Sequence, residues 1–501
     1  MSVRQAFRAF HRWLGAALCL LFLTWFASGI VMTFAGFPSV REPEKLAHAA
    51  ALREEGIRVQ PAAALASVTN DAETIELRAL GARALYRVRT AAHTTSIFAD
   101  TGERLSQLDE QAAISAVSGW LHGAVADSAR LSEVDQWTPQ ANRYGALPLV
   151  RIRAHDAEGT EIYVSLGDGE VLQRTTTRTR FLAWIGAIPH WIYPIQLRRH
   201  ASAWRTLVIA LSALGALASA SGLIHGVSAA RIARRSARGR RLPLSPFRDR
   251  WLAWHHLLGL TFGIFSFTWV LSGMLSFYPL ASSAEPEPSA RDISAFRGAP
   301  LDPRAFTRDL GEALRQCQMA LGGAIKRIEL VVAGRAPFYV CSDGRAASRI
   351  VSADARAPAN AALENDHITS FARALGAGAA IESEALLREG DAYYYPTHFE
   401  PDLTFPVLRT RFASGLVTYV SPRRLRVVRR YTNSGAAYRW LYHGLHSLDF
   451  PILYRRPWLW YPVMLTALLG SLTLATSGVW LTLRWSSGRS RRHGRHGSPR
   501  E

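Results

Sequence analysis

The chain has 501 residues, 49% of them hydrophobic, with a formal net charge of +20. Its mean hydropathy of +0.01 averages very apolar stretches with ordinary soluble ones, which excludes a uniform soluble globule. The charge would point to nucleic acid in a soluble protein, but here the arginines flank the apolar stretches and have a different explanation.

Residues 1–12 carry Arg4, Arg8 and Arg12. A charge-free run from Trp13 to Val40 follows, longer than the roughly 20 residues that cross a bilayer core as a helix. The basic start resembles a signal peptide, but the run is too long for an h-region and no A-x-A-like site follows it. It is read as a retained first helix over 13–40, with Cys19 as a packing residue. Residues 41–203 form a polar segment of small α/β character. Thr74 to Leu80 and Ala84 to Arg89 alternate like strands, Asp100-Thr101-Gly102 makes a turn, and Gln111 to His122 is helical. Leu149 to His155 and Glu161 to Leu166 form a strand pair, and a further turn follows at Gly167-Asp168-Gly169-Glu170.

The second apolar stretch, 204–230, leads into a basic loop, 231–250, holding Arg231, Arg234, Arg235, Arg238, Arg240, Arg241, Arg248 and Arg250. A third follows at 251–280. The next long segment, 281–456, opens with a linker rich in Pro, Ser and Ala up to residue 303. A helix is expected around Pro303 to Leu321, with strands at Ile325 to Val332, Pro337 to Cys341, Val407 to Phe412 and Leu416 to Val420. Cys317 and Cys341 share this segment, and both a bridge and free thiols are open. The fourth stretch is 457–483, and the tail 484–501 is basic and expected to be disordered. Short Arg-rich loops stay in the cytoplasm. Both termini and the middle loop are therefore expected inside, and the two long segments outside, in a multi-pass protein of a bacterial inner membrane. Lipid is then the partner of the basic residues, not nucleic acid.

The chain also reads as two tandem copies. His11, Gly15, Thr24, Trp25, Ser28 and Gly29 recur as His255, Gly259, Thr268, Trp269, Ser272 and Gly273, always 244 residues later. Trp184, His190, Arg199, Trp204, Ser221 and Gly222 recur as Trp440, His446, Arg455, Trp460, Ser477 and Gly478, always 256 residues later. Asp135 and Asp391 keep the second offset. The expected fold is a membrane α-helical four-helix bundle from two parallel repeats, each with one outside α/β domain. The Ser-Gly pairs are assigned to close helix packing, and the tryptophans near helix ends to an aromatic belt.

The motifs His11-Arg-Trp-Leu-Gly with Ser28-Gly29, and Trp440-Leu-Tyr-His-Gly-Leu-His-Ser-Leu-Asp-Phe-Pro451 leading to Ser477-Gly-Val-Trp480, resemble the PepSY-associated transmembrane helix family. Tyr86 to Leu108 and Leu147 to Arg174 look like PepSY modules, and the resemblance covers nearly the whole chain. It implies kinship with iron-regulated inner-membrane proteins and ferric-siderophore reductases, which carry two b-type haems.

The histidines agree with that implication. A b-type haem needs two axial donors from different helices, and neutral imidazole supplies them without adding charge to the bilayer. The repeat pairs His11 with His255 at the cytoplasmic side and His190 with His446 at the outer side. His225 could replace a member of the first pair. His256, about 100° round the helix from His255, is assigned to the interface or to a propionate. His443 precedes His446 by three residues and could reach a second iron or a propionate. Arg199 and Arg455 are candidate propionate partners, Trp25 and Trp269 candidates for a haem edge. Asp135 with Trp137, and Asp391 with Tyr393 to Tyr395, mark loops that either dock an acceptor or simply turn the chain.

No residue is assigned a catalytic role in bond making. No Gly-x-Gly-x-x-Gly follows a strand and no Walker loop appears, so electrons must come from a quinol or a cytoplasmic donor. Neither Cys-x-x-Cys-His nor Gly-x-Ser-x-Gly occurs. The expected function is transmembrane electron transfer through two b haems to a periplasmic ferric chelate. The alternative is a non-enzymatic PepSY-domain sensor, regulator or assembly factor.

Overall fold

The structure, a computed structural model, describes residues 3–66, 72–90, 93–236, 245–277, 287–345, 347–359, 365–397 and 401–493. Arg238, Arg240 and Arg241, the first residues of the expected linker, His398 and the tail beyond 493 lie outside them. The chain divides into two units. One, helical, comprises Met1–Phe37, Phe181–Ala284 and Ala437–Glu501; the other, rich in strands, comprises Pro38–Arg180 and Glu285–Ala436.

Four long helices build the first unit: α1 (Val3–Met32), α2 (Ala201–Ser236), α3 (Arg250–Leu275) and α4 (Pro457–His493). Each contains a span long and apolar enough to cross a membrane. α1 begins before its apolar stretch, and α2 and α4 run past the ends of theirs, because a helix satisfies its backbone internally and can continue into water. α1 stops at Met32, short of the apolar end, where Gly36 and Pro38 follow. Asp249 caps α3 by accepting the Trp251 and Leu252 amides, both at 3.0 Å. The helices pack in a ring, α1 touching α2 and α4, and α3 touching the same two. Neighbours run antiparallel. Trp13 near the start of α1 meets Trp485 near the end of α4 at 4.6 Å, and Phe34, just past α1, meets Tyr461 at 5.9 Å. Residues 181–203 and 437–456, assigned from sequence to the long segments, belong for the most part to this unit.

The described part of the second unit holds fourteen strands: β1 (Thr74–Leu80), β2 (Arg83–Arg89), β3 (Thr94–Phe98), β4 (Val125–Leu131), β5 (Leu149–Ala154), β6 (Glu161–Ser165), β7 (Val171–Thr175), β8 (Ile325–Ala333), β9 (Ala336–Asp343), β10 (Ser348–Ser352), β11 (Ile381–Leu387), β12 (Val407–Phe412), β13 (Val417–Ser421) and β14 (Arg426–Tyr431). They form three antiparallel sheets, ordered β10-β9-β8-β1-β2-β3, β4-β5-β6-β7 and β11-β12-β13-β14. The separate modules expected from sequence are thus corrected: β1 pairs with β8, with Ile75 opposite Leu330 and Arg78 opposite Arg327, and one six-stranded sheet draws on both halves of the chain. The expected linker is corrected too, since Ala290–Arg297 is a helix whose Ser289 and Asp292 make a reciprocal capping box.

The alternation of the six-stranded sheet explains its two faces. Ile75, Leu77, Tyr86, Val88, Ile328 and Leu330 enter an apolar core closed by the helix Leu310–Leu321. Within it Cys317 and Cys341 are bridged, while Cys19 in α1 is free and buried. Replacing both bridged cysteines with serine is expected to lower stability by about 3 kcal/mol, read as a lower urea midpoint that reductant reproduces in the parent protein.

The opposite face of that sheet carries Glu76, Arg78, Arg87, Arg327 and Glu329, and it is charged yet covered. Like charges lie directly opposite across β1 and β8, an unfavourable pairing by itself. Residues from outside the sheet resolve it. Glu42 accepts from both Arg78 and Arg327 at 2.7 Å. Glu170, on the turn before β7, accepts from Lys45 and Arg87 and lies 3.6 Å from Arg78. Asp168 binds Arg87 at 2.6 Å.

Candidate functional site

At the end of the helical unit that bears the chain termini, His11 on α1 faces His255 on α3, with ring centres 6.5 Å apart and planes at 39°. At the other end His190, on the short helix Ala187–Trp191, faces His446. Their ring centres are 6.2 Å apart and their planes at 74°. His446 follows a π-helical stretch, Arg439–Gly444. These are the two pairs expected from the 244 and 256 offsets.

All four rings are held in the same manner. His11 Nδ1 lies 3.1 Å from the Ala218 carbonyl and 3.2 Å from Ser221 Oγ. His190 Nδ1 lies 3.2 Å from the Trp25 carbonyl and 3.1 Å from Ser28 Oγ. His446 Nδ1 lies 3.1 Å from both the Trp269 carbonyl and Ser272 Oγ. His255 Nδ1 lies 2.8 Å from Ser477 Oγ. Each serine donates its own proton back to a carbonyl of its helix, as Ser221 does to Ala218 at 2.8 Å and Ser477 to Leu474 at 2.7 Å. Its oxygen is therefore an acceptor for the imidazole. That assigns the proton to Nδ1 and leaves the Nε2 lone pair unused, the arrangement that a carbonyl bonded to the far nitrogen imposes on metal-binding histidines. Among the described residues no hydrogen bond engages Nε2 of any of the four.

The glycine after each serine makes room for the ring. A Cβ at Gly222 would lie 2.6 Å from His11 Cε1; at Gly29, Gly273 and Gly478 the corresponding imidazole carbon would be 3.5–3.7 Å away. Gly222→Ala is therefore expected to displace His11 and disable the termini-end pair alone. Its signature would be spectra of the other pair unchanged beside loss of the first.

The distances bear on what the pairs can hold. Metal–imidazole bonds are about 2.0 Å and an imidazole centre lies about 1.2 Å behind its nitrogen, so two rings facing across one iron have centres about 6.4 Å apart. Both pairs meet that separation. No group of three or more His, Cys, Asp or Glu able to hold a bare metal ion occurs among the described residues. Two imidazoles alone suit a metal whose remaining positions are filled by a macrocycle. Beside His11 and His255 opens a cavity of about 620 Å³. Its walls include Gly15, Gly222, Gly259 and Gly478, with Phe22 and Phe26 as apolar flanks. At the His11–His255 pair the donor set and the space fit a haem.

The other expected residues fall into different places. His225 lines the same cavity with Arg8 and Arg12, but the ring facing His11 is His255. His256 is buried and committed at both nitrogens, Nε2 lying 3.0 Å from the Gly226 carbonyl and Nδ1 3.2 Å from Ser245 Oγ. It ties the loop before α3 to α2. His443 packs against Tyr438 and Tyr442. At the His190–His446 end, Arg455 lies 5.9 Å over the Tyr454 ring, and the Arg199 amide closes the turn Ile195–Arg198. The indoles of Trp25 and Trp269 pack between helices, and the carbonyls of these residues are what serve the imidazoles. Asp135 accepts the Trp137 and Thr138 amides, and Asp391 the Tyr393 and Tyr394 amides, so both are turn formers.

Compared with known proteins, the chain matches no family model and no curated protein.

Proposed function

We propose that the chain is a di-haem electron-transfer protein of a bacterial inner membrane that reduces a periplasmic ferric chelate. The observation that carries this reading is the pair of facing, Nδ1-anchored imidazole couples at opposite ends of one apolar bundle. His11 with His255, and His190 with His446, would hold the two haems. The matched serine-glycine seats and the two constant offsets support a tandem-repeat origin. The arginine distribution supports cytoplasmic termini, and the motif resemblance to the PepSY-associated family supports both a PepSY-like outer unit and a ferric-siderophore-type acceptor.

A haem bound at each pair supplies reversible one-electron exchange at iron. The protein's own work is to fix and shield. Ser28, Ser221, Ser272 and Ser477 anchor each imidazole at Nδ1 and so keep the proton there and Nε2 unprotonated. Phe22 and Phe26 keep water from the termini-end pair. The electrons would come from a quinol or a cytoplasmic donor, one for each ferric chelate taken to ferrous. Iron is then released because hard oxygen chelators hold Fe(II) far less well.

The test is spectroscopic and then chemical. Protein from haem-replete cells should show low-spin Soret and α bands with two haems per chain. After reduction with dithionite and removal of excess, added ferric citrate or a ferric hydroxamate should restore the ferric spectrum. Colourless protein ends the haem reading; haem that stays reduced beside the ferric chelate ends the reductase reading.

A further inference from the structure

The two imidazole pairs are anchored alike but are not equivalent. An aromatic ring lies on His446 and no such side chain can lie on His190. Tyr442 stacks on the His446 imidazole, centres 5.2 Å apart and planes at 28°. Tyr438 stacks behind Tyr442 at 5.4 Å, again at 28°, and His443 closes the edge of Tyr442 at 5.0 Å. Tyr438, Tyr442 and His446 are spaced four apart, so a helical backbone lays their rings one above another. The stretch Arg439–Gly444 between them is π-helical, a widened turn concentrated at functional sites. Position 186, which precedes His190 by the same four residues, is glycine. A Cβ there would lie 2.9 Å from both Val31 Cγ1 and the Leu182 carbonyl, so no side chain fits.

An imidazole hydrogen-bonded only at Nδ1 can still rotate about the line from that bond to its metal. The serine and carbonyl contacts, shared by His190 and His446, do not distinguish the two rings. The stacked tyrosine does, because turning the His446 plane drives it into Tyr442. The pair with the stack has planes at 74°, and the pair without one has planes at 39°. The relative orientation of two axial imidazole planes sets the splitting of the iron orbitals. Near-perpendicular planes give a strongly anisotropic low-spin ferric signal, and planes closer to parallel give an ordinary rhombic one.

We propose that Tyr442, backed by Tyr438, is a positioning residue that fixes the plane of the His446 imidazole and so makes the two iron sites electronically unequal. This rests on the haem reading above. The inequality lies at the iron that His190 and His446 would hold, the one nearer the ferric acceptor in that reading.

Electron paramagnetic resonance of the ferric full-length protein tests it. Wild type should give two low-spin signals, one with its largest g value well above the other. His446→Ala should remove the high-g signal and so identify it. Tyr442→Leu should shift that signal alone to lower g, leaving haem content, the α band and the second signal unchanged. Tyr442→Phe, which keeps the ring, should restore the wild-type spectrum. A Tyr442→Leu spectrum superimposable on wild type overturns the proposal, as does a Tyr442→Phe spectrum displaced from it. The second variant decides the matter should the first fail to accumulate. Protein that binds no haem defeats the underlying reading, and that outcome is visible by eye before any resonance is measured.

Discussion

Replacing His446 with alanine is expected to halve the haem content of the purified protein and leave the termini-end centre intact. Its imidazole opposes His190, and the two pairs lie at opposite ends of the helical unit, so the termini-end pair keeps both of its rings. Alanine removes the Nε2 donor without disturbing Ser272 or the Trp269 carbonyl, which can then take a water. His11→Ala should remove the other centre in the same way, and the double variant should be colourless. Pyridine haemochrome assays on the four proteins check this directly. If either single substitution abolishes both centres, or neither does, the pairing is wrong. The same series settles the standing of His225, since His225→Ala should retain both centres.

Replacing Glu170 with glutamine is the substitution expected to cost most stability in the strand-rich unit. Burial by itself would push this carboxyl up, but Arg87, Lys45 and Arg78 together hold it well below the usual carboxylate range. Glutamine keeps the volume and leaves three cations facing a neutral amide. Breaking a buried pair from one side costs about 3–5 kcal/mol, a large part of the margin of most domains. The pH dependence has a definite sign. A carboxyl whose folded value is depressed contributes stability above its unfolded value, near 4.5, and loses it as pH falls toward the folded value. Glu42, half-buried, and Glu329 are also held low: desolvation would raise both, but Arg78 and Arg327 outweigh it at Glu42, and Arg327 and Arg426 at Glu329. Wild type should therefore lose stability steeply below about pH 4.5, and Glu170→Gln should flatten that slope while lowering the plateau. Urea midpoints from pH 3 to 7 on the detergent-solubilised chain measure both. A midpoint unchanged at neutral pH would show the cluster to be energetically idle.

The parts of this architecture that were legible in the sequence are those encoded by local pattern. Charge-free length marked all four long helices. Alternation located β1 at Thr74–Leu80 and β12 at Val407–Phe412 with the bounds observed. The constant offsets chose His255 over His256 as the partner of His11. What escaped was non-local or polar. Nothing in β1 announces that its neighbour is β8, because both strands alternate equally well with any partner. Ala290–Arg297 was hidden in a stretch whose Pro and Ser content suggested a linker, although Ser289 and Asp292 spell a helix start. The serines of the four Ser-Gly pairs were read as packing residues. Their recurrence with each histidine was visible, but that their hydroxyls face imidazoles appears only in three dimensions. α2 and α4 also continue past their apolar runs, since hydropathy registers solvent preference and not backbone bonding.

The pairing of β1 with β8 has a consequence for synthesis. As the chain leaves the ribosome, Thr74–Leu80 emerges long before Ile325–Ala333, with two further apolar helices between them. Throughout that interval one edge of the nascent sheet has its amides and carbonyls unmatched, the condition under which strands recruit foreign strands. Maturation of the first half must therefore wait on delivery of the second. A chaperone that shields an open edge, or swift insertion of the intervening helices, decides how much of the newly made protein survives.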